Sequence, residues 1–347
     1  MENGFAVSAA AASHRGLVRS KNEDNLYFNG KMMPAKKGEK DFFSFTMDET
    51  EEPCVFAVFD GMGGLKKGHE ASRVCAEAFK DSQKKVAEED NNMEQTLLDR
   101  INTANENLCA VMKKNGQRMG STVAALAVKK EGIAIANIGD SRVYRVKEDG
   151  LRQLSVDHNE AEYLIENGML SENQALKHPS RNRLTQHVGI SPDELVIYPS
   201  SNSFPSRANN EKYLLCSDGL YSMLGEEKIF EIISENEDLE HTVKKLCDEA
   251  VKAGGKDNIT AVLINILNDN FTEEAFEEDQ KTLHSEKAPS FGRTLMLYII
   301  RLFDIRKKGQ GSYPLTPRLI MGRFIFACAF ISVLMCIFSA ILRHLAG

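Results

Sequence analysis

VFAVFDGMGG, residues 55–64, is an apolar run of five residues that ends on an aspartate and continues into a glycine-rich turn. The run has the length and composition of a buried strand, and Asp-Gly is a common turn pair. A surface turn therefore accounts for the stretch if it stands alone. The same pattern recurs along the chain, and that recurrence decides its interpretation.

Four further segments place a carboxylate beside an apolar run. Asp140 follows IANIG, Asp218 follows YLLCS, Asp257 precedes NITAVLI, and Glu23 and Asp24 stand together before NLYF. Because a sheet brings strand ends from distant parts of the chain together, these acids are expected to meet at one place. Clustered carboxylates repel one another and resist ionisation unless a cation neutralises them.

The residue types predict the kind of cation. A carboxylate-rich site that keeps water suits Mg²⁺ or Mn²⁺, and no His or Cys clusters beside these acids, which disfavours zinc. Two such ions would lower the pKa of a bridging water and neutralise an anionic substrate. Gly61 is expected to let a backbone carbonyl approach a metal. Arg19 offers a planar fork for a phosphate, with a surface ion pair as its alternative role.

Composition sets broad limits on the function. The 347 residues are 27% charged and 42% apolar, which are globular values. The net charge of −7 gives no indication of nucleic-acid binding, which usually shows as a basic surplus. The seven cysteines are scattered without a CxxC pair, so neither a zinc site nor a disulfide framework is predicted.

Hydrophobic periodicity predicts an α+β domain over residues 1–267. Helices are expected at 69–88, 94–112, 226–236 and 239–253, and strands at 55–59, 121–128, 132–138, 142–146, 212–216 and 258–264. Long runs of strand without regularly alternating helices favour antiparallel sheet with helices packed on it, rather than βαβ repeats.

The C-terminal segment has a different composition. Residues 268–292 are acidic and are predicted to form a flexible linker. Residues 293–318 are apolar with basic flanks, and form either an amphipathic helix in the membrane interface or a linker helix against the domain. Residues 319–342, with an uncharged stretch from 324, predict a transmembrane helix in a lipid bilayer. Because basic residues precede this span, the large domain is expected in the cytoplasm of a single-pass protein.

Nine motifs, in order, resemble those of one family over residues 5 to about 267. They are RSKNED (19–24), VFAVFDGMGG (55–64), GHEAS (68–72), GSTVAALAV (120–128), IANIGDSRVYR (135–145), DHN (157–159), HPSRNRLTQHVG (178–189), LLCSDGLYSML (214–224) and GGKDNITAVLI (254–264). The chain resembles the metal-dependent Ser/Thr protein phosphatases of the type 2C class, especially their bacterial branch.

The resemblance implies a four-layer α-β-β-α sandwich of two antiparallel sheets flanked by helices, with two Mn²⁺ or Mg²⁺ ions between the sheets. It assigns roles to these positions: Asp60 as bridging metal ligand, the Gly61 carbonyl as a further ligand, Asp218 and Asp257 on the first metal, Glu23 on the second through water, Asp24 orienting metal-bound waters, Asp140 with Asp218 on a third, weaker metal, Arg19 binding phosphate, and Asn258 and Thr122 supporting the ligands.

The implied reaction is hydrolysis of phosphoserine and phosphothreonine in proteins, by direct attack of a metal-bridging hydroxide. The expected partners are phosphorylated proteins, including a Ser/Thr kinase or its targets. No cysteine has an arginine six residues later, so the tyrosine-phosphatase nucleophile pattern is absent. A catalytically silent phosphoprotein-binding scaffold and a hydrolase of small phosphoesters are the alternatives. Retention of every acid favours an enzyme over the scaffold.

Three features depart from the family pattern or extend it. Met62 stands where many eukaryotic members carry a histidine thought to protonate the leaving group, which leaves the general acid unassigned. Residues 29–53 are longer than a compact member needs and are expected to form a hairpin or loop near the site. Residues 155–187 resemble the mobile flap that borders the family's substrate groove, with a passive surface loop as the alternative.

Overall fold

The computed structural model describes residues 5–34, 42–63, 67–88, 92–171, 174, 178–205 and 211–268. The chain divides into two units, Met1–Ala288 and Pro289–Gly347, and every described residue lies in the first. Within the described residues, no helix combines the length and apolar composition that crossing a bilayer requires. The predicted linker beyond Asn268, the basic segment and the span at 319–342 lie outside the described residues.

Fourteen strands make up the described sheets. In chain order they are β1 (Phe5–His14), β2 (Asn25–Phe28), β3 (Lys31–Met32), β4 (Phe42–Thr50), β5 (Cys54–Phe59), β6 (Gly61–Met62), β7 (Gly120–Ser121), β8 (Val123–Lys129), β9 (Gly132–Ile138), β10 (Arg142–Lys147), β11 (Gly150–Gln153), β12 (Ser200–Pro205), β13 (Glu211–Cys216) and β14 (Ile259–Asn268).

The strands form two six-stranded sheets in which every pairing is antiparallel. The first sheet has the order β11-β10-β13-β14-β1-β4, and the second has the order β12-β9-β8-β5-β2-β3. The short strands β6 and β7 pair separately. The predicted antiparallel α+β class is therefore confirmed for the described residues.

Five of the seven described helices lie where the sequence periodicity predicts helix, and those at 160–166 and 218–224 were not predicted. The helices are α1 (Gly68–Ala78), α2 (Ser82–Ala87), α3 (Met93–Asn115), α4 (Glu160–Glu166), α5 (Asp218–Leu224), α6 (Glu226–Ser234) and α7 (Leu239–Lys252), with a 3₁₀ turn at Pro179–Asn182. The longest helix, α3, begins after Asn92, whose side-chain oxygen accepts from the amides of Glu94 and Gln95. It ends at Gly116, which adopts a left-handed conformation.

Three apolar cores account for four layers. One core lies between the sheets and includes Val58 and Val262. A second joins the second sheet to α1 and α3, through residues such as Phe59 and Ile101. The third joins the first sheet to α5, α6 and α7, through residues such as Leu263 and Leu246. Since each sheet buries both faces, the α-β-β-α order predicted from the resemblance follows.

Two elements differ from the sequence prediction. The single helix expected at 69–88 is two helices, because the chain turns at Asp81, which has a left-handed φ of 58°. Residues 42–50, expected in a hairpin or loop near the site, form edge strand β4 against β1. The alternate residues Phe43, Phe45 and Met47 pack on the core between the sheets, which is the period of a half-buried strand.

Candidate active site

Strand register brings the predicted acids to one end of both sheets. In the first sheet, His14 at the end of β1 pairs with Ile259 at the start of β14. The loop bearing Glu23 therefore lies beside the loop bearing Asp257. In the second sheet, Phe59 at the end of β5 pairs with Asn25 at the start of β2. Asp60 comes directly after Phe59 and Asp24 directly before Asn25, so the two acids lie at the same end of this sheet.

Asp60 and Asp218 meet inside this end of the sandwich. Their carboxyl groups lie within hydrogen-bonding reach of one another. Burial raises the pKa of Asp60 well above its usual value, and the negative charges of Asp24, Asp218, Asp140 and Asp257 raise it further. Burial likewise raises the pKa of Asp218 to about 6, with Asp257 as the next contributor. The charge of Asp218 therefore opposes ionisation of Asp60, whereas the hydrogen bond from Asp60 favours the ionised form of Asp218.

Asp140 belongs to the same group. Its pKa rises to about 8, first because the side chain is buried and next because Asp218 and Asp157 carry like charge nearby. The backbone carbonyl of Asp140 accepts a hydrogen bond of 3.0 Å from the hydroxyl of Tyr221 on α5. This tie fixes the Asp140 turn against the helix that begins at Asp218.

The residues present fit a hard divalent cation in their chemistry. Asp218 Oδ1 is buried and, among the described residues, has no hydrogen-bond partner, and a buried carboxylate oxygen without a donor is costly unless a cation approaches it. Spacing is a separate matter. In the described part of the chain, no three His, Cys, Asp or Glu side chains are arranged to hold one ion between them. Two predicted ligands, Asp257 and Glu23, instead contact protein groups.

Arg19 contacts one of these ligands. Its Nη2 atom donates to Oδ2 of Asp257 at 2.6 Å. The arginine side chain is 53% exposed, so it faces solvent while it neutralises the edge of the acidic cluster. The charges of Asp60 and Asp218 also stabilise its protonated form and help to raise the pKa of Arg19, after the larger effect of Asp257.

Glu23 lies at the N-terminus of α1. Backbone amides of Gly68 and His69 donate to its carboxylate and oppose the rise in its pKa that burial causes. The hydroxyl of Ser72 donates to the Glu23 backbone carbonyl at 2.5 Å. A carboxylate at this end of a helix is favoured by the helix dipole. The helix therefore positions the glutamate at the edge of the cluster.

The glycine after Asp60 has a steric reason that the sequence did not indicate. A Cβ on Gly61 would stand 2.0 Å from the carbonyl oxygen of Gly68, and a Cβ on Gly68 would stand 2.3 Å from that of Gly61. Both positions are therefore restricted to glycine by a close backbone crossing between β6 and the start of α1. Coordination of a metal by the Gly61 carbonyl stays a prediction.

Asp24 is fully buried and its side chain contacts protein hydroxyls. Its Oδ2 accepts hydrogen bonds from Ser217 Oγ at 2.7 Å and from Thr260 Oγ1 at 2.6 Å. Ser13 Oγ lies 2.9 Å from the same Thr260 hydroxyl. Ser217 immediately precedes Asp218, so this network joins the Glu23–Asp24 loop to the start of α5. Ser217 and Thr260 could not be predicted from the sequence, where their only signal is their position beside acids and strand ends.

Asn258 and Thr122 support the acids through the backbone, in line with the supporting role expected for them. The Asn258 amide donates to the carbonyls of Arg15 and Lys21 at 2.7 and 2.9 Å, and its oxygen accepts from the Glu23 amide at 2.7 Å. Thr122 Oγ1 accepts from the Asp60 amide at 3.0 Å. These bonds hold the loops that carry the carboxylates.

Comparison with known proteins identifies the family and the fold. Residues 37–268 match the family model described as Protein phosphatase 2C. The Serine/threonine phosphatase stp of Listeria welshimeri is 30% identical over 266 residues, which are 74% of this chain and 95% of the relative. The crystal structure of the Mycobacterium tuberculosis serine/threonine phosphatase PstP/Ppp superposes with a TM-score of 0.63 at 26% identity, covering 75% of this chain and 98% of that one.

A further solved structure shares the fold. It is the catalytic domain of serine threonine protein phosphatase PstP in complex with two manganese ions, with a TM-score of 0.62 and 24% identity, covering 76% of this chain and all of that one. The chain therefore belongs to the protein phosphatase 2C family and is a Ser/Thr protein phosphatase of that metal-dependent, bacterial-like type.

Proposed function

We propose that this chain is a membrane-anchored phosphatase of phosphoserine and phosphothreonine proteins, whose acidic cluster holds two Mn²⁺ or Mg²⁺ ions. The observation that carries the proposal is the meeting of Asp60, Asp140 and Asp218 in one buried group, with Asp218 Oδ1 lacking a hydrogen-bond donor among the described residues. Divalent cations of this kind are held by carboxylate oxygens and water.

The ligand set follows the positions that the resemblance assigns. Asp60 and the Gly61 carbonyl would hold the ions with Asp218, Asp257 and Glu23, and Asp140 with Asp218 would hold a third, weaker ion. The two manganese ions bound to the similarly folded PstP support a two-metal site in a fold of this kind. When bound, such ions supply an activated water and neutralise an anionic substrate.

The protein residues contribute binding and orientation. Arg19, exposed at the edge of the cluster, presents a guanidinium that can bind a phosphoryl group bidentately. Asp24, through Ser217, fixes the backbone that carries Asp218. Asn258 and the α1 amides hold Glu23 at its place. The substrates are phosphorylated proteins, and a Ser/Thr kinase or its targets are the proposed partners.

A turnover assay tests this function. Wild type, Asp60→Asn and Asp149→Asn are compared on a phosphothreonine peptide, with Mn²⁺ and with EDTA. Asp149 is exposed on the turn between β10 and β11 and supplies a matched control. We expect EDTA to abolish turnover, Mn²⁺ to restore it, and Asp60→Asn alone to lose several orders of magnitude. Normal turnover by Asp60→Asn, or in EDTA, would overturn the two-metal account.

The membrane anchor rests on residues 319–342, whose uncharged stretch 324–342 has the length of a bilayer span. Basic residues before this stretch favour a cytoplasmic catalytic domain. Fractionation of cells that express the full chain or a version ending at residue 318 tests the anchor. We expect the full chain in the membrane pellet and the shortened chain in the supernatant with full activity. A shortened chain that still pellets would contradict the anchor.

A further inference from the structure

Two exposed apolar side chains lie next to each other on the loop after β1. Leu17 is 63% exposed and Val18 is 69% exposed, and Arg19 follows them directly. Single apolar residues are common on protein surfaces and need no explanation. Here two consecutive ones adjoin the residue that is predicted to bind phosphate, so what holds them outward bears on the site.

Backbone contacts fix the loop that bears this pair. The amides of Leu17 and Val18 both donate to the Gly255 carbonyl, at 2.7 and 3.3 Å. Gly16 lets the two loops cross, because its φ is +80° and a Cβ on it would stand 2.2 Å from the Asp257 carbonyl oxygen. A hydrogen-bonded loop that crosses its neighbour this closely has little freedom to turn its side chains inward.

The same two loops carry the arginine and a predicted metal ligand. Arg19 Nη2 donates to Asp257 Oδ2 at 2.6 Å. The side-chain amide of Asn258 donates to the carbonyls of Arg15 and Lys21, which stand on either side of the exposed pair, at 2.7 and 2.9 Å. The apolar pair is thus held in a fixed position relative to the guanidinium.

Distances along the chain limit which substrate residue can meet the pair. Consecutive Cα atoms are about 3.8 Å apart, so the Cα atoms of Leu17 and Val18 stand within about 8 Å of that of Arg19. An extended peptide advances about 3.3 Å per residue. A phosphorylated residue bound at Arg19 therefore brings the residues within about two positions of it to the pair.

We propose that Leu17 and Val18 form an apolar contact surface for the substrate protein. This surface selects phosphorylated segments that carry a large apolar residue within about two positions of the phosphorylated one. The proposal rests on the function proposed above, because it places the phosphoryl group at Arg19. Covering exposed apolar side chains removes their surface from water, which favours binding. A substrate with polar residues at these positions gains nothing from the pair.

The test compares wild type, the double variant Leu17→Ser with Val18→Ser, and Val196→Ser, all in the full chain loaded with Mn²⁺. Val196 is the matched control, because it is 55% exposed and precedes β12, an edge strand of the second sheet. Values of kcat/KM are measured on two phosphothreonine peptides of equal length, in which leucine or serine occupies the two positions on each side. Para-nitrophenyl phosphate, which has no flanking residues, is the third substrate.

We expect wild type and Val196→Ser to prefer the leucine-flanked peptide by about tenfold in kcat/KM, the scale of partly burying two apolar side chains. The double variant should reduce this preference to about twofold or less, through a higher KM for the leucine-flanked peptide. No preference in wild type, or an unchanged preference in the double variant, would overturn the proposal. An equal loss on both peptides and on para-nitrophenyl phosphate would place the defect at the metal site and would also overturn it.

Size-exclusion chromatography of the same proteins in detergent tests the other occupant of an exposed apolar pair, a second copy of the chain. A double variant that changes from dimer to monomer with its peptide preference unchanged would assign the pair to that contact and overturn the proposal. A wild-type chain without metal-dependent turnover of any of the three substrates would instead overturn the function on which it rests.

Discussion

Arg19 Nη2 lies 2.6 Å from Asp257 Oδ2, joining residues that are 238 positions apart in the chain. One member of this pair is the predicted phosphate-binding group, and the other is a predicted metal ligand. An ion pair of this kind keeps the edge of the acidic cluster neutral. It also means that a cation bound by Asp257 has to compete with the guanidinium for the carboxylate.

This competition yields a prediction for Arg19→Met. Loss of the guanidinium should reduce kcat/KM on a phosphothreonine peptide by about 10- to 100-fold, since a charge-assisted contact to phosphate is lost. The affinity for Mn²⁺, measured by calorimetry, should stay equal or become tighter, because Asp257 no longer has a protein cation as its partner. Lys21→Met, an exposed cation in the same loop, is the control. Weaker Mn²⁺ binding with unchanged kcat/KM would contradict this account.

Gly61→Ala should destabilise the fold through a steric clash. Its Cβ would stand 2.0 Å from the Gly68 carbonyl oxygen, so the backbone of β6 or α1 has to move. We expect a loss of about 2–3 kcal/mol in the free energy of unfolding, the cost of overpacking a tight contact. Urea denaturation gives the value.

Gly116→Ala is the control for that experiment. Gly116, unlike Gly61, has a left-handed φ, of 65°, and a Cβ there meets nothing within 4 Å. Backbone strain alone should then cost about 1 kcal/mol. If Gly61→Ala proves no more destabilising than Gly116→Ala, the close crossing of Gly61 and Gly68 is not a constraint on the fold.

His158 predicts how stability changes with pH. Its Nδ1 accepts from the Gly139 amide at 3.1 Å and its Nε2 lies 3.0 Å from Ser200 Oγ. Burial lowers the pKa of the imidazole from 6.5 to about 4, against a smaller opposing effect of Asp157. The unfolded chain therefore binds more protons in this window, so this residue's contribution is intact above about pH 6.5 and is lost as the pH falls towards 4.

The measurement is the free energy of unfolding of wild type and of His158→Gln at several pH values between about 7.5 and about 4, a range that spans the titration. The wild type should lose roughly 2–3 kcal/mol more than the variant across this range, on the scale of 1.36 kcal/mol per pKa unit. Equal pH slopes in the two proteins would show that the buried imidazole does not carry the effect.

Much of the fold follows from local sequence patterns. The helices α3, α6 and α7 have apolar residues at helical spacing, as in Leu97, Ile101 and Leu108, and the central strands are short apolar runs. The break at Asp81 could not be predicted, because the apolar spacing continues on both sides and only the left-handed backbone reveals the turn. Strand β4 was missed because its polar outward residues resemble those of an insertion.

The candidate site was partly predictable for a related reason. An acid just after an apolar strand marks the end of that strand, so Asp60, Asp140 and Asp218 could be expected together at one end of the sheets. The contact between Glu23 and the start of α1 depends on where a helix crosses the strand ends, which no local pattern encodes.

The central claim is that these carboxylates bind two divalent ions, and counting the bound ions tests it most directly. Metal-stripped wild type, Asp218→Asn and the Asp149→Asn control are titrated with Mn²⁺ by isothermal calorimetry. We expect about two ions per chain in wild type and in the control, as two-metal hydrolysis requires, and fewer or much weaker sites in Asp218→Asn. A wild type that takes up no Mn²⁺, or an Asp218→Asn protein that binds it as wild type does, would contradict the claim.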